Sequence, residues 1–176
     1  ETFLQQAGQM GLFKRVPYPG GLITVTELRQ LRKTLPRGII GLARCPFFAH
    51  LKEPLMQKYI KMHRAKFGDD VYPDDWACMH YDAIYGLEQA INKAKSIETE
   101  DVVKALKGAT LDTCRGKRTM RDCSNQLDVP SYVGEVWDSP DYPFPIYKPD
   151  TMIVVEGHDV WTPTCEAVEK LKKKRA

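Results

Sequence analysis

The sequence predicts an α/β fold, with parallel sheet covered by helices, and three observations predict it. Helical and strand-like stretches alternate over residues 1–68, the pattern that parallel sheets with helical crossovers produce. A long amphipathic helix follows from Asp75 to Lys95, with Ala77, Tyr81, Ile84, Leu87, Ile91 and Ala94 recurring at spacings of three and four. The 176 residues are 43% hydrophobic, enough to build a core of one domain or two small pieces.

Phe3, Leu4, Ala7 and Met10 mark a first helix that stops at Gly11. The chain thus begins inside an element, without Met or a cap, which predicts an upstream portion and with it any signal peptide. Lys14–Tyr18 is a short strand candidate, cut off by Pro17, Pro19 and the Gly20-Gly21 pair. Thr24-x-x-Glu27 is a capping box, and Leu28, Leu31 and Leu35 form the apolar face of the helix it opens, ended by Pro36. Gly38–Arg44 is a compact apolar run that reads as a buried strand, stopped at Cys45-Pro46. A third helix runs from Pro54 to Phe67, closed by Gly68.

Turn-rich residues 69–74 separate this block from the long helix, for which Asp75 is the predicted N-cap. Thr99 can cap a shorter helix that Gly108 stops, with Glu100 and Asp101 at its positive end. A strand-like stub, a turn at Gly116 and a strand Arg118–Arg121 complete a hairpin. Tyr132–Trp137 and Met152–Glu156 are further strands, joined by a proline-rich irregular connection. Thr162-Pro163 opens a last helix, which runs out in a basic, solvated tail at Lys172–Arg175.

Composition narrows the function classes. A net charge of +3 is close to neutral at this length and favours neither nucleic acid nor a strongly acidic partner. No apolar run is long enough to span a membrane as a helix. Phosphate-binding glycine loops are absent, and the four histidines fall in no metal-ligand spacing. The sequence therefore implies no cofactor, no metal and no catalytic residue. Cys45 with His50 is the thiol–imidazole pair on which a distant alternative, a thiol hydrolase, would rest. Of the five cysteines, Cys114 and Cys123 flank a glycine-containing turn and could close a disulfide across a hairpin. Cys45, Cys78 and Cys165 are scattered, and buried free thiols remain the other reading.

The stretch Tyr81-Asp82-Ala83, then Ala90-Ile91-x-Lys93-Ala94-x-Ser96, then Val103-x-Ala105-Leu106-x-Gly108 resembles one family. It is similar to the extracytoplasmic solute-binding proteins of branched-chain amino acid, amide and aromatic-compound ABC transporters, with the type I periplasmic-binding fold. Arg121-x-Cys123-Ser124-Asn125-Gln126 followed by Tyr132-Val133-Gly134 fits the segment before that family's last strands. Phe3-Leu4-x-Gln6-Ala7 and Gly38-Ile39-Ile40-Gly41 match upstream. The resemblance covers nearly the whole chain but only the C-terminal half of the family's usual length.

The resemblance implies two lobes joined by a hinge. Residues 1–68 would belong to the second lobe, 69–128 would cross the hinge and supply part of the first, and 129–176 would cross back with the last strands. It further implies a periplasmic or extracytoplasmic location, a small organic ligand held between the lobes, and delivery to the membrane permease of an ABC transporter. A ligand-sensing domain of the same fold, in a receptor or regulator, is the alternative. Ligands of open α/β sheets sit at the carboxyl ends of parallel strands, which places the site at Tyr18, Pro19 and Gly20 and at Arg44, Cys45 and Phe47. Pro19 stands where amino-acid binders of the family carry an acid, so the expected ligand is an aromatic or aliphatic carboxylate rather than an α-amino acid. Export of the family also favours the Cys114–Cys123 disulfide.

Overall fold

The computed structural model describes residues 2–160 and 164–174. Its centre is a βαβ unit. Strand β1 (Pro19–Leu22) leads into helix α2 (Val25–Leu31) and returns as β2 (Ile40–Ala43), parallel to β1 with Pro19 opposite Ile40. Helix α1 (Thr2–Gln9) precedes the unit. The capping box forms: the Glu27 carboxylate accepts from the Thr24 N–H at 2.7 Å, and Thr24 Oγ1 caps the first turn. Helix α2 ends earlier than its leucine pattern suggests. Arg32 has φ 42° and breaks it, and a 3-10 turn carries the chain to Leu35, which is buried all the same.

The sheet is mixed. After helices α3 (Pro54–Phe67), α4 (Asp75–Ala94) and α5 (Thr99–Leu106) and the hairpin β3 (Thr110–Thr113) and β4 (Gly116–Thr119), strand β5 (Ser131–Trp137) comes back beside β2, antiparallel to it. Strands β6 (Ile146–Tyr147) and β7 (Ile153–Val155) both pair antiparallel with β5. Only the β1–β2 pair is parallel among the described strands. A one-turn helix α6 (Gly157–Val160) and helix α7 (Cys165–Lys173) follow. The expected start of the last helix at Thr162-Pro163 lies outside the described residues; Thr164 caps α7, accepting from the Ala167 N–H at 3.3 Å.

Glycines let the sheet take its central tyrosine. Gly41 and Gly134 are cross-strand partners, and the Tyr147 ring lies across both. A Cβ on Gly41 would come within 2.6 Å of the Tyr147 hydroxyl, and one on Gly134 within 2.9 Å of Tyr147 Cβ. The ring therefore reaches the strand beyond, where its hydroxyl donates to the Ile23 carbonyl at 2.6 Å. Around it Ile23, Val25, Leu28, Leu35, Ile39 and Val136 form the core between α2 and the sheet.

Four sequence expectations are corrected here. Residues 14–18 are not a strand: a 3-10 turn covers Leu12–Lys14, and β1 begins at Pro19, so the Gly20-Gly21 pair lies inside the strand. Asp74, not Asp75, caps α4, accepting from the Ala77 N–H at 2.7 Å. The face α4 buries is Asp75, Cys78, Asp82, Gly86 and Ala90, while Ile84 is 70% exposed. The disulfide joins Cys123 to Cys165, and Cys114 is a buried free thiol. The reason is geometric. Cys114 sits in the hairpin turn and faces inward, whereas Cys123 lies past the far end of β4, about 13 Å of strand rise away.

Candidate functional site

The carboxyl ends of β1 and β2 meet the first turn of α4, and Asp75 joins them. Its buried carboxylate accepts from the Val25 N–H at 3.0 Å, the Arg44 N–H at 2.9 Å and the Cys45 N–H at 2.8 Å. The Arg44 and Cys45 N–H groups follow the end of β2 and the Val25 N–H opens α2, so none has a ladder or intrahelical partner, and a carboxylate is the strongest acceptor available to them. Asp74 adds a contact of its own, taking the Thr26 hydroxyl at 3.2 Å.

Two turns further along the same face, Asp82 does the equivalent for the β3–β4 hairpin. It accepts from the Cys114 N–H at 2.6 Å and from Arg115 through Nε at 3.2 Å and Nη2 at 3.0 Å. Both partners of this ion pair are buried. The remaining Arg115 nitrogen, Nη1, points at the Arg44 carbonyl at 3.5 Å, so one guanidinium ties the hairpin to the end of β2.

A polar group borders this junction where β5 opens. Tyr132, opposite Ala43, is buried, and its hydroxyl contacts His50 Nε2. Burial, then the charges of Arg115 and Arg118, push the His50 imidazole down to about 4. The ring is thus neutral at physiological pH and can exchange one hydrogen bond with the phenol. Burial holds the Tyr132 phenol above its ordinary range. Arg118 in turn pairs with Glu156 at 2.8 Å.

The six residues expected to hold a ligand fall at two ends of the strand pair. Arg44 follows β2 directly and is exposed; Cys45 beside it is fully buried. Phe47 is 1% exposed and packs against Phe48, Tyr72 and Tyr142 with ring centroids 5.6, 5.4 and 5.3 Å away. Tyr18, Pro19 and Gly20 lie at the amino end of β1, where Tyr18 packs on Phe13 at 5.0 Å. The structure does not bring the two sets together, and the charge argument built on Pro19 loses its basis, since Pro19 opens the strand instead of following it. Nor does it join Cys45 to His50, whose Nε2 meets Tyr132. Sequence reasoning missed Asp75, Asp82, Arg115, His50 and Tyr132 as a junction. The available signal was the i, i+7 spacing of two acids around Cys78 on one helix face.

The βαβ core with returning antiparallel strands and a separate helix-backed hairpin defines the type I periplasmic-binding fold. Solved structures share it. An amino acid ABC transporter substrate-binding protein from Pseudomonas fluorescens Pf-5 aligns with TM-score 0.73 and 20% identity over 94% of this chain and 42% of its own. An ABC-type branched-chain amino acid transporter protein from Rhodopseudomonas palustris CGA009 gives TM-score 0.66 and 24% identity over 81% of this chain and 37% of its own. A solute-binding protein from Rhodopseudomonas palustris BisB5, solved with 3,4-dihydroxybenzoic acid, gives TM-score 0.65 and 18% identity over 86% and 41%. The chain therefore spans about two-fifths of the length of the proteins it matches. No significant match was found among curated proteins. The periplasmic binding protein family matches residues 1–140, and the chain belongs to that family.

Proposed function

We propose that this chain is part of an extracytoplasmic, non-enzymatic solute-binding protein that captures a small organic carboxylate between two lobes and delivers it to an ABC transporter permease. The observation that carries the reading is the junction at the carboxyl ends of the parallel β1–β2 pair. There the α4 residues Asp75 and Asp82, with Arg115, couple the sheet to the hairpin, and Arg44 stands exposed at the rim. The lobe division at residues 1–68, 69–128 and 129–176 belongs to the same reading. It is supported by the sheet composition: β1, β2, β5, β6 and β7 share one sheet, while β3 and β4 form another. Movement of one unit on the other would pivot on the 69–74 and 129–131 joins, and the closed form is what a permease would read.

Arg44 is the proposed carboxylate-binding residue, with Cys45 and Phe47 as buried support behind it. The structural relative solved with 3,4-dihydroxybenzoic acid supports an aromatic acid as the first compound to test. Titration calorimetry of the full-length protein with leucine, benzoate and 4-hydroxybenzoate is the experiment. Binding of an aromatic acid, weakened about tenfold or more by Arg44→Ala, is expected. Micromolar leucine binding with silence toward both acids would overturn the ligand class, and an aromatic acid that binds Arg44→Ala unchanged would reject Arg44.

A further inference from the structure

Behind the junction lies a group of buried thiols, of which the proposed ligand site uses only Cys45, and that as packing. Cys45, Cys78 and Cys114 arrive from the end of β2, the first turn of α4 and the hairpin turn, and none has any solvent exposure. Asp82 lies one helical turn beyond Cys78 on the same face, and one donor atom from each of Cys45, Cys78 and Asp82 lies within 4.8 Å of the others. We propose that Cys45, Cys78 and Asp82 form a binding site for zinc or a similar thiophilic divalent ion.

Donor type, spacing and charge all favour this assignment. Zinc takes thiolate sulfur at about 2.3 Å and carboxylate oxygen at about 2.0–2.2 Å, so its ligands stand within about 4 Å of one another, close to the separation already present. Two thiolates cancel a divalent ion, and the two protons they release pass to solvent. Asp82 is already neutralised by Arg115, so the loaded site adds no net charge to the interior. Asp82 is also held in place by the Cys114 N–H and the Arg115 guanidinium, which act as outer-shell supports. The disulfide-bonded Cys123 and Cys165 supply no thiol to this group. The other clustered set, Asp128, Glu156 and His158, sits nearer the surface and offers no thiolate, so it does not match a thiophilic ion.

The test uses the full-length protein, purified anaerobically and stripped of metal, with Co(II) as the spectroscopic probe and Zn(II) as competitor. One Co(II) per chain is expected, with sulfur-to-cobalt charge-transfer absorption and the strong visible bands of a tetrahedral site, both lost on adding Zn(II). Cys78→Ser and Cys45→Ser should each weaken Co(II) binding at least about 100-fold, whereas His158→Ala should leave the spectrum unchanged. Should the serine variants fail to fold, the wild type still decides. A folded protein that titrates three thiols after denaturation yet shows no charge-transfer band with Co(II) overturns the proposal. So does Co(II) binding that His158→Ala abolishes.

Discussion

Replacing Asp75 by Asn tests whether one carboxylate ties the end of β2 to the start of α2. Asp75 Oδ1 takes the Arg44 and Cys45 N–H groups, and Oδ2 takes the Val25 N–H. The asparagine carbonyl can keep the first pair, but its NH2 then faces the Val25 N–H, donor against donor. One charge-assisted bond is lost, a buried N–H is left unpaired, and the two surviving bonds become neutral. Bonds to charged groups are worth about 1.5–3 kcal/mol each and an unsatisfied buried donor costs about 1–3 kcal/mol. Relief of the buried charge offsets part of this, leaving a destabilisation of about 3 kcal/mol for Asp75→Asn. Asp75→Ala should cost more, about 5 kcal/mol, because all three donors lose their partner. Urea denaturation of the full-length protein, followed by the fluorescence of the adjacent Trp76, measures both. A loss under 1 kcal/mol for Asp75→Asn would refute the reasoning, since it would mean that water or relaxation serves these donors equally well.

Other outcomes follow from the same contacts. Non-reducing peptide mapping should link the peptides containing Cys123 and Cys165; the 42-residue separation makes the bond worth about 4 kcal/mol in the chain-entropy model, and Cys114 found in a disulfide would contradict the structure. His50, held at about 4 against 6.5 when unfolded, is neutral in the fold, so the unfolded chain binds the extra proton between those values. Stability should therefore fall as pH drops from about 6.5 to 4, by at most about 3 kcal/mol and less for the part of the ring that water reaches. His50→Gln should remove that component, and an unchanged pH slope would reject the assignment. Gly41→Ala should cost about 1–3 kcal/mol through displacement of the Tyr147 ring, measured by thermal unfolding; a neutral effect would show that the ring moves freely.

Much of the architecture was legible because its signals are local. The Thr24-x-x-Glu27 box, the Gly68 stop, the Tyr132–Trp137 run and the apolar Gly38–Arg44 segment depend on neighbours a few residues away, and each produced its element within a residue or two. Family likeness was legible for another reason: it rests on the concatenation of many weak patterns along the chain. Even so, Gly20-Gly21 misled, because paired glycines usually punctuate strands. Here β1 needs a residue without Cβ at Gly20, where Ile23 and the Ile40 carbonyl close in.

The sequence by itself determined the main helices, the strands at 38–44 and 132–137, the βαβ order and the family. Tertiary structure alone decided which face of α4 is inside, which cysteines pair and which strand end meets which helix. Apolar periodicity could not reveal the α4 face, because that helix turns Asp75 and Asp82 inward to satisfy backbone N–H groups of a strand end, a helix start and a hairpin turn 30–50 positions away, and leaves Ile84 outside. Cys123 and Cys165 stand 42 residues apart, and Cys114 is diverted into the core by the hairpin turn. These choices are set by partners distant in the chain, whose proximity exists only once the strands have docked.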